Sequence, residues 1–309
     1  MIRKLLMTCI APLALAGCLI VHEEREPARV VEVEVKQVVS KADAPAQSAS
    51  ATTKDGLTIH HDVIYGHHDG MANVYDVIRP AKANGSAVLY MVSGGWVSRW
   101  AEPETRTQQF KALLDAGITV IPVHHGSAPR FKVPEAHADV KRALRHVSLN
   151  AASYGVDPAR IGVFGGSAGG HLSLMLGLNG DDGDPAATDP VLRGPARIKA
   201  VVAYYPPADI RPLAGPSERF PALDFPKDQA AAISPILFVD AKDPPTLIVH
   251  GDADELVPLA SGQSIFNALK TAGVKTDLVI IKGGDHGFSE PTHRAEAYAA
   301  MARWFRENL

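Results

Sequence analysis

Six short runs of nearly unbroken apolar residues, at 87–92, 118–123, 161–164, 198–204, 246–250 and 277–281, recur along the chain with helical patterns between most of them. Runs this short suit strands buried on both faces, the mark of a parallel sheet covered by helices. The separating pattern is clearest in VPEAHADVKRALRHV. There Pro134 suits a first turn, and positions 133, 136, 140, 144 and 147 put apolar side chains on one face. SGQSIFNALKTAG and HRAEAYAAMARWFRENL read the same way, and two further strand-like segments at 57–64 and 73–78 come first. The expectation is an α/β domain over residues 56–309: a mostly parallel, doubly wound, eight-stranded sheet with helices on both faces. A chain of 309 residues that is 46% hydrophobic has enough apolar side chains for that core. In such sheets the chemistry sits in the loops beyond the carboxyl ends of the strands.

The N-terminus follows a different logic. Arg3 and Lys4 precede an apolar stretch from Leu5 to Ala16, too short to span a bilayer, and the run closes on Leu15-Ala16-Gly17-Cys18. This resembles a bacterial lipoprotein signal over residues 1–17, cut before a Cys18 that becomes acylated. A plain secretory signal with an incidental cysteine is the alternative. The expected address is the cell envelope, on a membrane through the lipid, each buried CH₂ contributing about 0.8 kcal/mol. Cleavage would leave Cys18 as the sole cysteine, hence no disulfide, and 29 basic residues against 34 acidic ones. That balance offers no electrostatic grip on nucleic acid or anionic lipid. Residues 18–55 read as a flexible tether, with a reach on the order of 35 Å. The alternating VVEVEVKQVV within it has no evident partner.

Three loops carry candidate chemistry. After RIGVF comes Gly165-Gly166-Ser167-Ala168-Gly169-Gly170 and then helical HLSLMLGL, a strand, G-x-S-x-G, helix sequence. A turn of that kind lifts a serine hydroxyl above the sheet at the positive end of a helix. Phosphate-loop and dinucleotide spacings are both absent. A serine needs a base, and the base a carboxylate to orient it. PTLIVHGDADELVP supplies carboxylates after one strand: Asp252, Asp254 and Glu255. TDLVIIKGGDHGF supplies His286 after the next. The third loop, Val92-Ser93-Gly94-Gly95-Trp96, follows an earlier strand.

Together SGGW, GVDPARIGVFGGSAGGHL, PPTLIVHGDADELVP and GGDHGF resemble an α/β-hydrolase of the acetyl-esterase and hormone-sensitive-lipase-like branch, over residues 57–309. The resemblance implies a serine esterase acting on short-acyl, acetyl-type esters, with acetylated carbohydrate a candidate substrate and no cofactor or metal. It implies Ser167 as nucleophile, His286 as base and Asp254 as the acid, with oxyanion donors at Gly94, Gly95 and Ala168. It also implies a pocket near Trp96, Tyr205, Pro206 and Phe288. The departure is at Val92-Ser93, where the family has His-Gly before the two glycines. Such a loop must be braced differently, and the Ser93 hydroxyl is the candidate.

Other features have plainer readings. The pairs His60-His61, His67-His68 and His124-His125 lack any zinc spacing, and neighbours on a strand face opposite ways. His171 and His250 read as structural, Trp304 and Phe305 as core. The proline-rich segment at 204–245 reads as a short lid contributing Phe220 and Phe225 to the pocket. Two rival functions share this fold: a prolyl-oligopeptidase-like serine peptidase, although this chain lacks the usual propeller domain, and a non-catalytic lipoprotein binding module. Aryl acetate against a dipeptide anilide separates the first, and labelling by a fluorophosphonate the second.

Overall fold

The computed structural model describes residues 50–309. The signal at 1–17, Cys18 and the tether as far as 49 lie outside the described residues, with the alternating stretch at 30–39.

Among the described residues nine strands form one sheet: β1 (Ser50–Lys54), β2 (Leu57–His68), β3 (Met71–Pro80), β4 (Ala87–Met91), β5 (Thr119–Val123), β6 (Ile161–Gly166), β7 (Ala200–Tyr204), β8 (Thr246–Gly251) and β9 (Thr276–Ile281). Their spatial order is β1-β2-β3-β5-β4-β6-β7-β8-β9. The first three are antiparallel to their neighbours, and β4 to β9 run parallel. The sheet therefore has one strand more than expected. The addition is β1, at residues that read as the end of the tether. Asp55 and Gly56 both have positive φ, 53° and 74°, as a two-residue hairpin turn requires. Lys54 then pairs with Leu57 and Ser50 with His61. An edge strand held by backbone bonds needs no apolar side chains, so SATTK carries no hydrophobic signature.

Side chains alternate across the sheet into two cores. Leu89, Val163, Val201 and Ile248 meet Val140 of α2 (Val133–Leu149), Leu172 of α3 (Ala168–Leu178) and Ile265 of α4 (Leu259–Thr271). Val88, Phe164, Val202 and Leu247 point the other way, toward Leu113 of α1 (Lys111–Asp115) and Met301 and Phe305 of α5 (Pro291–Asn308). All five positions foreseen on the apolar face of α2 are buried, and Glu135 accepts the Lys132 N–H at 3.0 Å at its start. Each fully buried aliphatic side chain contributes about 1.5–3 kcal/mol, and a one-residue slip in a strand would reverse its two faces.

The chain leaves β4 for β5 on one side and then returns to β6 on the other, so the sheet switches direction at β4. The loops after β4 and β6 are brought together there, where open α/β sheets bind ligands. The segment at 205–245 is no detached flap. It winds through 3₁₀ turns and buries Ile210, Leu223, Phe225 and Ile233 in the first core. Among the described residues no helix is long and apolar enough to cross a membrane.

Candidate active site

Ser167 sits between β6 and α3 with φ 54° and ψ −120°, a conformation that costs a non-glycine residue about 1–3 kcal/mol. The surroundings impose it. A Cβ on Gly165 would lie 2.6 Å from the Gly169 carbonyl oxygen, and one on Gly169 would lie 2.8 Å from that of Met91. Strand, helix and the neighbouring strand end are thus in backbone contact, and the serine is lifted out of the sheet. Its N–H donates to Tyr204 O at 2.9 Å, and the His171 N–H donates to its carbonyl at 2.9 Å.

The carboxylate question has a geometric answer. Asp254 is buried, and its Oδ1 accepts the N–H groups of Leu256 and Val257, each at 2.9 Å. Its Oδ2 lies 2.8 Å from Nδ1 of His286. Asp252 is exposed and instead accepts the Gly283 N–H at 2.6 Å, fixing the turn ahead of His286. Glu255 is exposed. His250 stays beneath the loop: its Nε2 donates to Val257 O at 2.8 Å and lies 3.5 Å from Asp254 Oδ2. Burial pulls its pKa below the ordinary histidine value.

Ser167 and His286 line one cavity of about 370 Å³, with Ser93, Gly94 and Gly95 on its rim. Tyr205 and Phe288 wall it as expected, and Phe220 reaches it from the 205–245 segment. The Tyr205 ring lies 4.6 Å from the His286 ring and 5.0 Å from that of Phe288. Three expected wall residues are elsewhere. Trp96 is buried in the core, Phe225 packs in the same cluster, and Pro206 is buried away from the cavity. Sequence reasoning missed Tyr90, Gln109, Arg294 and Tyr298, which also line it. They come from β4, the approach to α1, and α5, none of which carries a motif.

The loop after β4 needs a second correction. The Gly94 N–H is engaged by Val97 O at 3.1 Å, closing a small bridge, so it is not a free donor. Gly95, at φ 57°, has no protein acceptor for its N–H among the described residues. Ala168 opens α3, where a helix leaves its first N–H groups without internal partners.

What stands in for the missing histidine is now visible. Ser93 Oγ lies 2.9 Å from Nε2 of His125, in the loop after β5. His125 Nδ1 lies 2.7 Å from Gly126 O, so the proton is on Nδ1 and Nε2 accepts from the serine. Burial drives the His125 pKa down to about 4, so the ring is neutral at pH 7. The far end of the loop is tied similarly. The Trp96 indole N–H donates to His171 Nδ1 at 3.2 Å, while His171 Nε2 donates to Ile233 O at 2.7 Å. His171 is also held near pKa 4 by burial. Apart from three aspartates, every non-glycine residue with positive φ among the described residues (Trp96, Ser167, Tyr205 and Phe288) lies just beyond the carboxyl end of β4, β6, β7 or β9.

Each histidine pair meets a carboxylate, His68 near Asp139 at 3.6 Å and His124 near Asp76 at 3.8 Å, and one histidine meets two. His61 stands with Glu102 and Glu104, their ligand atoms within 4.8 Å, from positions too far apart for a spacing to show. His61 Nε2 is already occupied by Thr52 Oγ1 at 3.1 Å and Glu104 at 3.3 Å.

The chain is similar to known esterases in sequence and in fold. The chain is 31% identical over 230 residues to esterase LipQ of Mycobacterium tuberculosis (strain ATCC 25618 / H37Rv), a match covering 70% of this chain and 53% of LipQ. It is 28% identical over 286 residues to ethyl acetate hydrolase of Pseudomonas putida, covering 86% and 83%. The chain spans about half the length of the mycobacterial relatives it matches. Among solved structures, a truncated carbohydrate esterase from gut microbiota superposes with TM-score 0.69 at 27% identity, covering 84% of this chain and 99% of that one. An acetyl ester-xyloside bifunctional hydrolase from Caldicellulosiruptor lactoaceticus gives 0.65 at 27%, covering 76% and 88%. The BD-FAE family profile matches residues 75–269, more than half of the sequence. With that profile, the sheet order and the serine turn, the chain is an α/β-hydrolase-fold member of the BD-FAE family.

Proposed function

We propose that the protein is a serine carboxylic-ester hydrolase for short-acyl esters, acetylated carbohydrate among them, working through Ser167, His286 and Asp254. The observation that carries the reading is the 2.8 Å contact between His286 and a buried Asp254, at a cavity shared with Ser167. With its Nδ1 proton held by Asp254, His286 presents an unprotonated Nε2. Ser167 Oγ attacks the ester carbonyl carbon as its proton passes to that nitrogen. The negative charge on the carbonyl oxygen is taken by the Gly95 and Ala168 N–H groups, each such donor contributing about 2.7–4 kcal/mol. The C–O bond to the alcohol breaks, and the alcohol leaves with the proton from His286. Water then attacks the acyl carbon, giving its proton to His286. Collapse frees the acid and returns the proton to Ser167. A cavity of about 370 Å³ lies at the small end of ligand sites and supports the short-acyl reading.

Hydrolysis of 4-nitrophenyl esters from acetate to octanoate, with acetylated xylan beside them, tests this. Activity is expected to peak at short chains. Ser167→Ala is expected to abolish turnover, and Asp254→Asn to lower kcat by about 10³–10⁴-fold. Asp252→Asn should cost far less. Full turnover by Ser167→Ala, or a larger loss at Asp252, overturns the assignment.

The same proposal places the domain on a cell-envelope membrane through an acylated Cys18. Cys18→Ala should move the protein from the membrane to the soluble fraction; unchanged partition favours the plain secretory signal.

A further inference from the structure

The cavity beside Ser167 is lined largely by aromatic rings, yet it holds one cation. Arg294, in the first turns of α5, is half-buried, and its Nη1 donates to Phe288 O at 2.9 Å and Ser289 O at 2.7 Å. These two bonds fix the guanidinium against the His286 loop and leave Nε and Nη2 without a protein partner among the described residues. No aspartate or glutamate lines the cavity, and among the described residues no carboxylate lies within ion-pair distance of Arg294. A partly desolvated cation with no counter-ion is costly to keep.

The groups around it fit the same purpose. Tyr298 lies four residues on, hence on the same face of α5, and Tyr90 comes from β4. Both line the cavity, and neither hydroxyl has a protein partner among the described residues. Tyr204 differs, since its hydroxyl is spent on Ala297 O at 3.2 Å. Burial raises the Tyr298 phenol pKa, nearby Tyr90 adds to the rise, and the Arg294 charge opposes it, as expected of groups facing one space.

We propose that this wall is a carboxylate subsite: the protein selects esters whose acyl or alcohol part carries a second, free carboxylate, held by the Arg294 guanidinium and the Tyr90 and Tyr298 hydroxyls. A guanidinium fork matches the two oxygens of a carboxylate, and hydroxyl donors meet its remaining lone pairs. The proposal rests on the esterase reading for its kinetic test only.

Two pairs of esters locate the carboxylate. 4-Nitrophenyl hemisuccinate against 4-nitrophenyl butyrate places it on the acyl side, and 4-acetoxybenzoate against phenyl acetate on the alcohol side. The readout is the ratio of kcat/KM for the charged ester to that for its neutral partner, which cancels any effect of a variant on the His286 loop. Arg294→Gln is expected to lower this ratio about tenfold or more for one pair, mainly through KM, as loss of a charge-assisted bond does. Tyr298→Phe, which keeps the ring, should lower it about threefold and serves if Arg294→Gln does not fold. Ratios unchanged in both pairs overturn the subsite. If the wild-type protein hydrolyses no ester, the esterase reading has failed and calorimetry decides the subsite alone. Ser167→Ala protein should then bind 4-acetoxybenzoate more tightly than phenyl acetate, and lose that preference with Arg294→Gln. Equal binding of the two overturns it.

Discussion

Ser93 and His125 show how one hydrogen bond between two side chains can hold a loop of the site. Ser93 neighbours the two glycines of the loop, and its hydroxyl has one acceptor, Nε2 of a ring that burial keeps neutral. Removing either partner frees the start of the loop and spreads the positions of the Gly95 amide. His125→Ala is therefore expected to lower kcat on an aryl acetate about tenfold, less than the 10²–10³-fold loss of a donor itself, with little change in KM. Ser93→Ala should cost a similar factor, and the double variant no more than either one, because both remove the same bond. His125→Gln, which offers an amide oxygen, should recover part of the loss. Additive losses in the double variant would show that the two residues act separately.

At the scale of elements, the elbow is defined by three backbones in contact, and its tolerance is correspondingly uneven. Gly169→Ala would place a methyl 2.8 Å from Met91 O, pushing α3 off β4. The expected cost is about 1–3 kcal/mol, or roughly 2–10 °C in unfolding midpoint, together with a fall in turnover. Gly94→Ala meets nothing within 4 Å and should leave the midpoint within a degree or so, as thermal unfolding of the two variants would show. The same contrast explains what could be read from the chain. Apolar runs and the strand–serine–helix turn announce themselves because their spacing is set by one local element. His286 and the carboxylate loop were legible by their order after successive strands, while the choice of Asp254 over Asp252 and Glu255 came from the family resemblance alone. The edge strand β1 was not, since backbone pairing leaves no apolar trace, and neither were Tyr90, Arg294 and Tyr298, which meet only when β4 and α5 pack. Trp96 and Gly94 were misread for a related reason: a motif gives a loop's position, not which way each group within it turns.

Across the whole molecule, neutral buried histidines set a limit in acid. Burial lowers His125 and His171 to about 4 and His137 to about 3, against an ordinary value of 6.5. Unfolded chains take up these protons first, so each ring stabilises the fold fully above pH 6.5, and that contribution is lost as pH falls toward 4. The loss is on the order of a few kcal/mol for each ring. The unfolding midpoint should fall steadily from pH 6.5 to 4.5, and a flat profile over that range would contradict the burial of these rings. Two of the three also hold the loop after β4, so activity and stability should decline together.

The bond from Ser93 to His125 joins positions 32 residues apart. The resembled family pattern has one histidine inside the loop; here the brace is divided between two segments, and a search pattern confined to the loop passes over chains built this way. The signature that would find them is correlated change in an alignment. Sequences with serine at this place should carry histidine two positions past the end of the adjacent strand, and those with histidine in the loop should be free of that constraint.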